Sequence, residues 1–153
     1  ALSLFADWMR RVEQGEEAVQ LAMQRAMADA GVRPEQVDLV VAFAPGTVPH
    51  DRGEAMGIAA VLGGSAGRVP VVSIKGATGL CGAGAGTVDA AVAALAVHTG
   101  QVPPTVNHAQ PDPQCPVRVN GGVLQREVKV AVTIGYALGG GQYGALVFRK
   151  CEP

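Results

Sequence analysis

The sequence predicts an α/β fold in which strands alternate with helices and the last two strands form an antiparallel hairpin. Three observations predict it. Short apolar runs, "VDLVVAFA" and "VPVVSI", are separated by longer segments with helical spacing of their apolar residues. Glycine or Pro-Gly punctuates the boundaries, at Gly31, Pro45-Gly46 and Gly63-Gly64. Near the end, "VKVAVTIGYAL" and "YGALVFRK" flank the short "GGGQ", a hairpin by loop length. The expected order is β-α-β-α-β-α-β-β, a mixed five-stranded sheet with helices packed on it, in a single domain over residues 1–153.

The elements follow in order. "ALSLFA", residues 1–6, reads as a short strand. From Val12 to Ala30, Val19, Met23, Ala26, Met27 and Ala30 recur at helical spacing, and Gly31 supplies a stop. Residues 37–44 read as a buried strand, 53–62 as a helix, 69–74 as a strand and 84–98 as a third helix. Residues 100–127 carry Pro103, Pro104, Pro111, Pro113 and Pro116 and read as loop. The final two strands cover 128–138 and 143–150.

The composition narrows the function. The chain is 48% hydrophobic but 4% aromatic, with 21 glycines, so small residues dominate its apolar fraction and suit close helix–sheet packing. A net charge of −1 leaves no electrostatic footprint for nucleic acid or an anionic membrane. Lys75 and Asp89 interrupt the most apolar region, so no bilayer-spanning run is expected. "ALSLFADWMRR" carries an early Asp7 and no basic start, so no secretory leader is read there. Cys81, Cys115 and Cys151 form no CxxC pair and are expected as reduced thiols in the cytoplasm. With His50, His98 and His108 they show no metal-ligand spacing, and no cofactor is expected.

Residues 73–97, "SIKGATGLCGAGAGTVDAAVAALAV", contain one lysine, one aspartate and no other formal charge. The turn "GLCGAGAGT" lies where a phosphate loop would sit. It lacks the Walker lysine and the G-x-G-x-x-G spacing, so its glycines are read as allowing close helix packing. The helix that follows is apolar on nearly every face and must be covered from all sides, beyond what one sheet and three helices supply. His98 suits that helix's negative C-terminal end. His50 and Asp51 are adjacent on a loop and expected to point apart. Lys75 ends an apolar strand at the sheet edge where α/β folds place their sites, and both a surface and a functional role stand.

These segments resemble a known family. "VDLVVAFAPGTVPHDRGEA", "VPVVSIKGATGLCGAGAGTVDAAVAAL" and "GQVPPTVNH" follow one another as in the C-terminal half of β-ketoacyl synthases, and "GGGQYGALVFRK" resembles their final hairpin. "GEEAVQLAMQRAMADAGVRPEQVD" is similar to the helix and link before the first motif. The resemblance implies the thiolase fold, two βαβαβαββ halves whose central helices lie between two sheets, with this chain as the second half. The other half's sheet would then cover the apolar helix.

In that family a cysteine from the first half takes the acyl chain from an acyl carrier protein. Two histidines from the second half assist decarboxylation of the malonyl unit and stabilise the enolate and oxyanion. The first belongs to a motif of the type HGTxTxxxDxxE. Here "FAPGTVPHDRGE" puts Phe43 at its position and retains Thr47, Asp51 and Glu54. The second belongs to K-S-x-x-G-H, where "KGATGL" puts Leu80 at its position and retains Lys75 and Gly79. Cys81, one place on, is read as a buried small residue.

Both replacements resemble the chain-length factor of type II polyketide synthases. That resemblance implies a non-catalytic subunit pairing with an active ketosynthase or a complementary N-terminal half, shaping the acyl pocket and meeting the acyl carrier protein. The alternative is half of a split β-ketoacyl synthase catalysing decarboxylative Claisen condensation. By the same resemblance, Lys75 and Glu54 are expected to form a buried ion pair.

Overall fold

The computed structural model describes residues 15–139 and 141–151. The expected strand at 1–6 and the expected helix start at Val12 lie outside them. The chain runs through α1 (Gly15–Asp29), β1 (Leu39–Val41), α2 (Val48–Leu62) and β2 (Pro70–Val72). It continues through the single turn α3 (Lys75–Thr78), α4 (Ala85–Thr99) and the short strands β3 (Gln101–Val102), β4 (Arg118–Val119) and β5 (Leu124–Gln125). β6 (Val130–Tyr136) and β7 (Tyr143–Arg149) close the fold.

The sheet has five strands in the order β4-β2-β1-β6-β7, and β3 and β5 form a separate antiparallel pair. β4-β2-β1-β6 are parallel and β6–β7 antiparallel, so the sheet is mixed as expected. One strand comes from an unexpected place. β4 lies in the proline-rich segment read as loop, where Arg118 and Val119 pair with Pro70 and Val71. The Asn120 amide extends that pairing by donating to the Val71 carbonyl at 2.9 Å.

Side chains alternate across the strands and give the sheet two different faces. Val40, Val71, Val132 and Ile134 point toward α1 and α2, where they meet Val19, Met23, Met27, Ile58, Val61 and Leu62. The two helices lie very close: a Cβ added at Gly57 would sit 2.7 Å from the Glu16 carbonyl oxygen and 2.9 Å from the Val19 Cβ. Leu39, Val41, Val72 and Ala131 point the other way and meet Ala93, Ala96 and Val97 of α4.

The outward side of α4 has no cover among the described residues. Leu95 is 60% exposed, and Leu80, Leu138 and Leu146 are exposed as well. Leu146 is two residues from Phe148 on β7 and so shares the α4 face. The glycines of the turn do not make the close approach expected of them. A Cβ at Gly82, Gly84 or Gly86 would meet nothing within 4 Å.

Candidate functional site

The site forms where β1 hands over to α2. After Val41 the chain turns through Ala44, at φ +33°, and Gly46, at φ +85°, before Thr47 and Pro49 start the helix. Proline near the first helical position fits because its missing N–H would have no helical partner there. Glu54, on the buried side of α2, reaches back over this turn. Its Oε1 accepts the Phe43 N–H at 2.7 Å, and its Oε2 accepts the Ala44 N–H at 2.7 Å and the Tyr136 hydroxyl at 3.2 Å.

Burial pushes the Glu54 carboxyl up to about 7, against the opposing pull of the Ala44 and Phe43 amides and the Tyr136 hydroxyl. Burial, then the Glu54 charge, holds the Tyr136 phenol above its ordinary value. Asp51 fixes the same turn through the Gly46 N–H, which it accepts at 3.2 Å. Burial raises its carboxyl, opposed by the Gly46 and Thr47 backbone amides. His50 takes a separate direction, with Nδ1 2.8 Å from Thr47 Oγ1 and its ring stacked 6.0 Å from Tyr136. The adjacent His50 and Asp51, expected on a loop, lie instead in the first turn of α2, and their hydrogen bonds run to different groups.

Lys75 opens α3. Its Nζ donates to the Ala42 carbonyl at 3.3 Å, pairs with Asp89 Oδ2 and lies 5.0 Å from the Phe43 ring centroid. Both side chains of the pair are buried, 8% exposed for Lys75 and 0% for Asp89. Burial raises the Asp89 carboxyl while Lys75 opposes it. The expected Lys75–Glu54 pair is thus corrected. Glu54 satisfies its charge with two amides and a phenol, and the lysine's acid comes from α4, which faces it across the sheet edge.

Phe43 and Leu80 border a hollow of about 490 Å³ with Ala85, Tyr136, Leu138 and Gln142. Phe43 is buried with its ring 4.5 Å from that of Tyr136, and Leu80 is 44% exposed. The polar side chains lining the hollow are those of Tyr136 and Gln142, so no carboxyl, imidazole, thiol or amine reaches it from the described residues. Cys81 is exposed rather than buried, because the turn carrying it stands clear of the rest of the chain.

Asp51, Glu54 and Lys75 line a larger cleft of about 710 Å³ between α2, β2, β4 and the segment after β3. Arg52 ties α2 to that segment, its Nε donating to Asp112 Oδ2 at 2.9 Å. Sequence reasoning missed two members of the site. Asp89 carried a signal: it is the lone acid in an apolar helix, and a buried charge requires a partner. Tyr136 carried none beyond strand periodicity.

The sequence pattern of the β-ketoacyl synthase C-terminal domain matches residues 6–109. The chain belongs to this family. It is 33% identical over 150 residues to nodulation protein E of Rhizobium sp. (strain N33), covering 97% of this chain and 37% of that protein. Among solved structures it is similar to the ishigamide ketosynthase/chain length factor, at a TM-score of 0.83 and 27% identity, over 90% of this chain and 34% of that one. It is equally similar to a chain of the solved complex described as a type II PKS acyl-carrier protein in complex with its ketosynthase bound to the hexaketide. There the TM-score is 0.83 and the identity 27%, over 88% of this chain and 33% of that one.

The ketosynthase domain thus has the thiolase-like fold that its motifs implied, and it spans about a third of the length of the curated relatives it matches. No helix among the described residues is long and apolar enough to cross a membrane.

Proposed function

We propose that this ketosynthase domain is non-catalytic and chain-length-factor-like. It pairs in the cytoplasm with an active ketosynthase, or with a complementary N-terminal half, and helps to shape the pocket that receives the acyl chain from an acyl carrier protein. The observation that carries this reading is the chemistry of the hollow beside Phe43 and Leu80. Decarboxylation and condensation need donors aimed at a developing enolate and oxyanion, and a base or acid within hydrogen-bond reach. Phe43 and Leu80, at the positions we match to the family histidines, have no polar side-chain atom to offer.

The retained positions are occupied with structural work. Lys75 is held by Asp89 and the Ala42 carbonyl, and Glu54 and Asp51 hold the turn after β1. Thr47 is engaged with His50. The likeness to a ketosynthase/chain length factor, and to a ketosynthase solved with its carrier protein, supports the choice of partners.

The test is an assay of the chain by itself with acyl- and malonyl-loaded carrier protein, following carbon dioxide and ketoacyl product. No product is expected, and none from Phe43→His with Leu80→His, since the nucleophilic cysteine belongs to the other half. Acyl transfer by the unmodified chain alone would overturn the non-catalytic reading.

A further inference from the structure

We propose that Glu54 is a proton-operated clamp. Ionised, it holds the Phe43–Ala44 turn through both carboxylate oxygens, and protonated, it turns Oε2 toward Tyr136 and loosens Ala44. The inference goes beyond the partner reading and is independent of it.

The donors around the carboxyl set its two states. A carboxylate only accepts, and three donors meet it here: the amides of Phe43 and Ala44 and the hydroxyl of Tyr136. A protonated carboxyl carries an O–H that needs an acceptor. Neither amide can accept, whereas the Tyr136 oxygen can, at 3.2 Å from Oε2. Placing the proton on Oε2 reverses the phenol bond and weakens the Ala44 contact from a charge-assisted bond to a neutral one. Ala44 is the residue that most needs holding, since it adopts φ +33° with a side chain.

The charges facing Glu54 leave it near the balance point. From α2 come Asp51, whose charge opposes ionisation, and His50, stacked on Tyr136. β6 supplies Tyr136 and β7 supplies Tyr143, stacked 5.0 Å from it. α1 brings the Glu16 backbone against Gly53 and Gly57. On the other side of the turn, Lys75 is bound to the Ala42 carbonyl and to Asp89 of α4. No lysine or arginine of the described residues pairs with Glu54 itself, and burial lifts its carboxyl to about 7. The clamp acts on both depressions, because Phe43 lines the hollow and Ala44, Pro45 and Gly46 line the cleft.

Proton and carbon NMR of the full chain between pH 5 and 9 tests the clamp, in the assembled complex if a partner is needed for solubility. The Ala44 amide proton is expected to shift upfield on acidification, with the same midpoint as the Glu54 carboxyl carbon, about 7. Tyr136→Phe should shrink the Ala44 step, because the protonated carboxyl loses the acceptor that draws Oε2 away from Ala44. Glu54→Gln should abolish the Ala44 step. A flat Ala44 signal in the wild type, a step that survives in Glu54→Gln, or an Ala44 step of undiminished size in Tyr136→Phe each overturns the proposal. Should Glu54→Gln fail to fold, the size of the Ala44 step in Tyr136→Phe still decides.

Discussion

On one side of the sheet, α1 and α2 interlock so closely that Gly57 has no room for a methyl group, and Val19, Met23 and Ile58 are almost wholly buried. On the other, α4 buries Ala93, Ala96 and Val97 but presents Leu95 to solvent, and a Cβ added at Gly82, Gly84 or Gly86, at the start of the helix, would meet nothing within 4 Å. Hydrophobic content does not explain the difference, since α4 is the most apolar segment of the chain. What differs is complementarity. The sheet-facing side of α1 and α2 finds its partners within the chain, whereas α4 carries apolar surface on both sides and one sheet can cover only one of them. A domain built this way is packed on one face and leaves apolar surface open on the other.

Five substitutions sharpen this contrast. The largest effect is expected where the two faces meet, at the buried Lys75–Asp89 pair. Lys75→Met strands the Asp89 carboxylate and should destabilise by about 3–5 kcal/mol in thermal melts. Adding Asp89→Leu should recover part of that loss, and simple additivity would show that the pair is not coupled. Next comes the packed face. Gly57→Ala forces a methyl into the Glu16 carbonyl and Val19, at a cost of about 1–3 kcal/mol.

Glu54 should show itself through pH. Its folded value, about 7, exceeds the ordinary 4.5. The folded state therefore holds a proton that the unfolded state has lost between those values. Stability from this group is full below 4.5 and falls as pH rises through about 7. Melts of Glu54→Gln should lack that decline. The smallest effect on stability is expected at Leu95, where replacement by lysine should change the melt by no more than about 0.5 kcal/mol.

Much of this was legible in the sequence, for reasons specific to each element. The third helix was expected at 84–98 and runs Ala85–Thr99, because its apolar run ends at a glycine that adopts φ +74°. β6 and β7 fall where alternating apolar residues flank the glycine-rich turn. α2 starts five residues earlier than expected, with Pro49 in its first turn, where a missing N–H forfeits no helical bond. β4 was invisible because two residues carry no periodicity, and its pairing with β2 is set by the fold. At the site, the family resemblance singled out Glu54 and Lys75 but paired them wrongly. Nothing in linear spacing distinguishes an acid that faces backbone amides from one that faces an amine across the sheet.

The central claim is that the outward face of α4 is an interface awaiting its other side. Sedimentation velocity of the purified chain, with and without Leu95→Lys and read beside hydrophobic-dye fluorescence, tests it most directly. The wild-type chain should self-associate or bind dye, and Leu95→Lys should shift it toward monomer and dim the dye at unchanged stability. A wild-type chain that sediments as a stable monomer and leaves the dye dark would contradict the account.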